Sequence, residues 1–237
     1  MAEGVKEVPS VRSNGDVVVT TATGDQTVLA SGAKTDFTRL SAGRWQGSNS
    51  SVFYVESGTR DIVQVTSDGT TTPIEAAPNT EAEGIAGLGD IDDGADELVY
   101  GGNGPGGTSS SVVYVDDDGT VVGTQAEYGT NNGIGLDEPA DFDGDGTSRV
   151  PYVDGSNDIR LVDDSGRTTE LVGGGVAAKA PMATGNFDGD DPLEIYFVGA
   201  DDDALLVLDN ATVDNAVRTV TDSQGTSATA DNDAGVG

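Results

Sequence analysis

The chain has 237 residues, 42 acidic and 11 basic, giving a net charge of 11 − 42 = −31, and it contains neither cysteine nor histidine. Disulfide scaffolds, zinc held by Cys or His, and Ser–His or Cys–His catalysis therefore all lack their parts. Duplex nucleic-acid binding needs clustered Lys and Arg to displace counterions, and the charge opposes that class of partner.

The first element in chain order is a repeat fragment. Val8-Pro9-Ser10-Val11-Arg12-Ser13-Asn14-Gly15-Asp16 matches Val150-Pro151-Tyr152-Val153-Asp154-Gly155-Ser156-Asn157-Asp158 without a gap, at an offset of 142. Hairpin signals then recur between β-branched runs: Thr-Ala-Thr-Gly24, Thr-Ser-Asp-Gly69, Asp-Asp-Asp-Gly119, Asp-Asp-Ser-Gly166 and Leu-Asp-Asn-Ala211. Their last residues are 45, 50, 47 and 45 apart. Asp and Gly suit such turns because a positive φ is needed there. A second series, Trp45, Ile91, Phe142 and Phe187, is spaced 46, 51 and 45. Trp45 falls in this apolar series and is read as core.

The spacing predicts an all-β, five-bladed β-propeller with about four antiparallel strands per blade. The blades fall at about 36–80, 81–130, 133–174 and 177–222, with 226–237 joining 1–35 to make the fifth. An inner strand near Thr226–Asp231 then pairs with N-terminal strands near Lys6–Ala30 and closes the ring, leaving no long sheet edge open. Small residues at two positions of each inner strand agree with crowding near an axis. Two places before each apolar landmark stand Gly43, Gly89, Ala140 and Gly185, and two places before Asn232, one further repeat along, stands Ala230. Four places before stand Ser41, Gly87, Glu138, Ala183 and Ala228, with Glu138 the one large exception.

The loop after each inner strand carries the chemistry. The fourth reads Asn186-Phe187-Asp188-Gly189-Asp190 and reaches Glu194; the third reads Asp141-Phe142-Asp143-Gly144-Asp145-Gly146 and reaches Arg149. The second offers Asp90, Asp92 and Asp96 and is one residue shorter; the first has no carboxylate. Oxygen donors at alternate positions of a tight loop, with a glycine at the bend such as Gly146, suit a hard cation. These loops resemble the FG-GAP/VCBS repeats of integrin-α-like propellers and of many microbial surface proteins. The resemblance implies a propeller fold, Ca²⁺ in the loops and a ligand-binding or adhesive role. Carried over residue by residue, it gives Asn186, Asp188, Asp190 and Glu194 as the best metal set. Asp141, Asp143 and Asp145 follow, with Arg149 able to replace the cation's charge, and then Asp90, Asp92 and Asp96. At high salt Na⁺ or K⁺ substitutes for Ca²⁺.

Only three lysines are present, Lys6, Lys34 and Lys179, and the acidic residues are spread along the whole chain. This composition resembles that of proteins from extreme halophiles, above all haloarchaea. No apolar run is long enough to span a membrane as a helix. The start Met-Ala-Glu-Gly has neither the basic nor the apolar part of a leader. The protein is then either cytoplasmic in a salt-accumulating cell, or extracellular with its signal or anchor removed.

The functional expectation is a non-enzymatic surface recognition domain for a protein or glycan, without direct membrane insertion. One alternative is a glycosidase-like propeller using Asp137 and Glu138, the axial acids, although paired acid–base work needs a second carboxyl nearby. The other is a structural subunit of a surface layer, filament or virion.

Overall fold

The computed structural model describes residues 7–35, 40–45, 50–74, 82–89, 91, 96–104, 108–116, 119–127, 135–142, 144–173, 182–186, 193–200, 204–208 and 217–219. Among these the fold is all-β, without helices, and forms five small antiparallel sheets. The first holds β1 (Glu7–Val11), β2 (Val17–Thr21) and β3 (Gln26–Ala30). The second holds β4 (Ser41–Gly43), β5 (Ser51–Val55), β6 (Ile62–Thr66) and β7 (Thr71–Ile74). The third holds β8 (Ala82–Gly89), β9 (Glu97–Gly104), β10 (Thr108–Val115) and β11 (Val121–Glu127). The fourth holds β12 (Val150–Val153), β13 (Ile159–Val162) and β14 (Thr168–Val172), and the fifth β15 (Ala183–Gly185), β16 (Glu194–Val198), β17 (Leu205–Leu208) and β18 (Val217–Thr219). Each sheet is a meander in sequence order. In the fourth, isolated bridges Leu136↔Tyr152 and Ala140↔Arg149 lay the preceding segment beside β12.

The turns follow from local chemistry. The hairpins β2–β3, β6–β7, β10–β11 and β13–β14 share one hydrogen-bond pattern. Gly24, Gly69, Gly119 and Gly166 donate their N–H groups to the carbonyls of Thr21, Thr66, Asp116 and Asp163 at 2.9–3.0 Å, each glycine with a φ between 78° and 86°. These are the glycines that the sequence marks as turn residues. Ala211, the fifth signal, lies outside the described residues. The nine-residue match also extends to backbone geometry. Gly15 has φ 84° and Asn157 φ 66°, and each donates its N–H to the residue three before, Arg12 or Asp154. Asn is among the few side-chain-bearing residues that tolerate this region, so one turn is built twice from different residues.

Four apolar clusters join the sheets in chain order. Val17 and Val19 of the first sheet meet Val52, Tyr54, Val63 and Val65 of the second. Phe53, Val55 and Ile62 meet Leu98, Tyr100 and Val113 of the third. Val99, Val112 and Tyr114 meet Val150, Tyr152 and Val162 of the fourth. Val153, Ile159 and Leu161 meet Ile195, Phe197 and Leu208 of the fifth. The landmarks Trp45, Ile91 and Phe142 are each buried in one of these joints, Trp45 edge-on to Phe53 at 5.8 Å; Phe187 lies outside the described residues. Burying both faces of a sheet explains second strands that hold continuous apolar runs, such as Val52 to Val55 in β5, rather than alternating ones.

First strands also approach one another across sheet boundaries. A Cβ on Gly43 would lie 2.6 Å from Leu88 Cδ1, and one on Gly89 would lie 2.7 Å from Pro139 Cγ. A Cβ on Gly87 would collide with Glu138. The column of small residues is thus a steric requirement at three of its described positions. The one large member, Glu138, sits where its neighbour is glycine. Ala228 and Ala230, and the expected closing strand Thr226–Asp231, lie outside the described residues.

Candidate functional site

The loops between first and second strands start and finish at one place in each sheet. The pairs Gly43↔Ser51, Gly89↔Glu97, Ala140↔Arg149 and Gly185↔Glu194 are register equivalents. The closing residue of each loop is therefore Ser51, Glu97, Arg149 or Glu194. Ser51, Glu97 and Glu194 are 0%, 2% and 2% exposed, so this one position supplies most of the buried polar side chains among the described residues. A buried carboxylate is costly unless hydrogen-bonded or paired, so each of these acids has a task.

In the second loop the task is visible. Glu97 Oε2 accepts the N–H of Ile91 at 2.7 Å and ties the end of the loop to its apolar landmark. Counting forward from Asp90 points to Asp96, which is exposed, and passes over Glu97. The signal was present: because the loop is one residue shorter, its closing acid is found by counting back from the second strand, not forward from Asp90. Asp90 and Asp92 lie outside the described residues.

The third loop is held by its own side chains. Asp141 Oδ1 accepts the N–H of Gly144 at 2.8 Å and Oδ2 that of Gly146 at 3.0 Å. Asp145 Oδ1 accepts the N–H of Thr147 at 2.8 Å, while Oδ2 accepts from Arg149 Nη2 at 2.7 Å. The Arg149 hydrogen bond, aided by the Thr147 amide, holds the Asp145 carboxyl down at about 2. Gly146, expected at the bend, has φ 87°. Asp143 lies outside the described residues.

In the fourth loop, Asn186 follows β15 directly and is exposed, while Glu194 opens β16 opposite Gly185 and is buried. The structure thus places the first and last residues of this loop on adjoining strand ends. Asp188 and Asp190 lie outside the described residues. An amide oxygen and a carboxylate are the hard oxygen donors that Ca²⁺ takes, so the described part of this loop fits the ion. The third fits it less well, since Asp145 already bears the guanidinium charge of Arg149. Among the described residues no three acidic side chains converge into a metal-ligating group. In the first loop Gln64 Nε2 donates to Ser51 Oγ at 2.9 Å, a neutral bond in place of the acid.

A second polar centre carries no motif or spacing that marks it in the sequence. Arg160 of β13 reaches Asp154 at 2.5 Å, Glu170 at 2.8 Å and Asp158 at 3.7 Å. Burial pushes the Asp154 carboxyl up, but the Arg160 bond and the amides of Asp158 and Ser156 outweigh it and leave it below the usual carboxylate range. Of the two acids that the sequence reading expects near an axis, Asp137 is half-buried, with its N–H donated to Pro151 O at 3.2 Å, and Glu138 is exposed.

No family model matches the chain, and no curated protein matches it. Among solved structures, it superposes on the pore of the Photorhabdus luminescens Tc holotoxin with a TM-score of 0.38 and 15% identity. That alignment covers 94% of this chain and 11% of the toxin chain. A likeness that loose assigns neither a fold family nor an activity. Among the described residues, no helix is long and apolar enough to cross a membrane.

Proposed function

We propose that the chain is a five-bladed β-propeller serving as a non-enzymatic recognition domain at a cell surface in a high-salt environment, with a cation bracing its fourth loop. The observation that carries this reading is the recurrence of one loop at one register position of successive packed sheets. Rigid sheets that present variable loops at a common end are a general arrangement for binding. The loops differ where recognition needs variety, and they keep one closing position where the scaffold needs strength. The five-sheet meander and the glycine contacts between first strands support the ring. The acidic composition supports the saline setting. A protein or a surface glycan is the partner class.

Two measurements test this. Solution scattering at molar KCl should give a radius of gyration of about 18 Å, the value for a compact chain of this length; an open stack would be larger. Binding to glycan and surface-protein arrays at the same salt should select a small set of ligands without consuming them. Hydrolysis of an arrayed glycoside would overturn the non-enzymatic reading, and absence of any binding would overturn recognition.

A further inference from the structure

The four joints between sheets follow a rule that leaves two faces outside every one of the four clusters, although Val18 at the centre of one face and Val198 on the other are only 1% and 7% exposed. In the second to fifth sheets, the face turned to the preceding sheet carries an aliphatic and an aromatic residue two apart on the second strand. The pairs are Val52 and Tyr54, Leu98 and Tyr100, Val150 and Tyr152, and Ile195 and Phe197. In the first sheet the nine-residue match puts Val8 and Ser10 at the places of Val150 and Tyr152. Val150 is 1% exposed and Val8 is 59% exposed. Val28 shares the face of Val8, through the pairings Ser10↔Val18 and Val18↔Val28, and is 50% exposed. These two are the large hydrophobics left exposed among the described residues.

The fifth sheet has the converse surplus. Its Ile195, Phe197 and Leu208 pack on the fourth sheet, so the alternate residues Val198, Leu205 and Val207 face the other way. By register, Leu205 and Val207 stand where Val112 and Tyr114 stand in the third sheet, the residues by which that sheet packs on its successor.

We infer that the Val8–Val28 face of the first sheet packs on the Leu205–Val207 face of the fifth within one chain, as a fifth joint of the same kind. This rests on the propeller reading and names the residues that close it. A head-to-tail contact either closes a ring or propagates between copies. Closure is favoured here because the glycine contacts draw first strands together on one side and curve the stack. Two ends of one chain also meet at high effective concentration, which separate copies lack.

The absence of cysteine makes the test clean. Val8→Cys and Val207→Cys are combined in the full chain, treated with a short bis-maleimide at molar KCl, and mapped by mass spectrometry. An intramolecular link in the monomer is expected. A link only between chains would overturn the inference in favour of a second copy as occupant. No link, with compact scattering, would mean that the ring closes through other residues; no link with an extended particle would remove the propeller reading as well. A second variant needs no cross-link. Val8→Asp should lower the melting temperature by about 5 °C, as at a buried site, despite the exposure of Val8. An unchanged melting temperature would overturn the joint.

Discussion

Single side chains decide how each turn of this molecule is held, and Asp154 shows it best. Its Oδ1 accepts the N–H groups of Ser156 at 2.7 Å and Asp158 at 3.1 Å, and its Oδ2 takes Arg160 Nε. Its carboxyl is depressed on folding despite burial, chiefly through the Arg160 bond. A depressed acid contributes stability that is complete above its unfolded value, near 4, and is lost as pH falls through its folded value. Asp154→Asn keeps the Oδ1 acceptor but loses the charge facing Arg160. It should cost about 1 kcal/mol near neutral pH, the scale of a charge-assisted hydrogen bond discounted for partial exposure. The gap between variant and wild type should then narrow as the pH drops below about 4. Denaturant titrations of both proteins across that range check it, and a gap that stays constant would count against the assigned role. None of this was legible in the sequence, because Asp154, Arg160 and Glu170 come together only through the register of β12, β13 and β14.

Elements were legible where backbone geometry restricts residue type. The glycines at four hairpins, the apolar landmarks and the small first-strand residues all announce themselves, since a positive φ, a sealed joint or a missing Cβ admits few alternatives. The closing position of the loops between first and second strands was legible only in part. Glu194 and Arg149 fall at the expected count, but Glu97 does not, because a one-residue deletion moves the count while strand pairing preserves the place. The same position predicts which loop answers to a cation. Arg149 already neutralises Asp145, and Glu97 already clamps Ile91, so the fourth loop, with Asn186 and Glu194 at its ends, should respond first to Ca²⁺. Calorimetric titration of Ca²⁺ at constant molar KCl should give saturable heat in the wild type. Asp188→Ala should weaken it by about tenfold or more, the loss of one charged oxygen ligand. Asp145→Asn should leave the isotherm alone, because Asp145 is spent on Arg149. An isotherm that Asp188→Ala does not change would reduce the fourth loop to a turn.

At the scale of the whole molecule two forces oppose each other, and they differ in how salt acts on them. Apolar joints between successive sheets hold the stack together, and they are shielded from solvent. Against them stands a net charge of −31, carried by acidic residues spread along the whole chain. Its repulsion is long-ranged at low ionic strength, where the Debye length is about 10 Å at 0.1 M, and short-ranged at 1 M, where it is about 3 Å. The melting temperature should therefore rise steeply between about 0.1 and 1 M KCl and flatten above it, because beyond that point little repulsion is left to screen. Strengthened apolar burial would behave differently. Excluded solutes act on the joints without a comparable ceiling, and an uncharged osmolyte such as sucrose acts on them alone. The decisive comparison is circular-dichroism melting in a KCl series beside a sucrose series. A saturating rise in KCl that sucrose does not reproduce assigns the salt effect to charge. Equal melting temperatures at low and molar KCl would mean that −31 does not limit this fold, and would remove the saline setting from the proposed function.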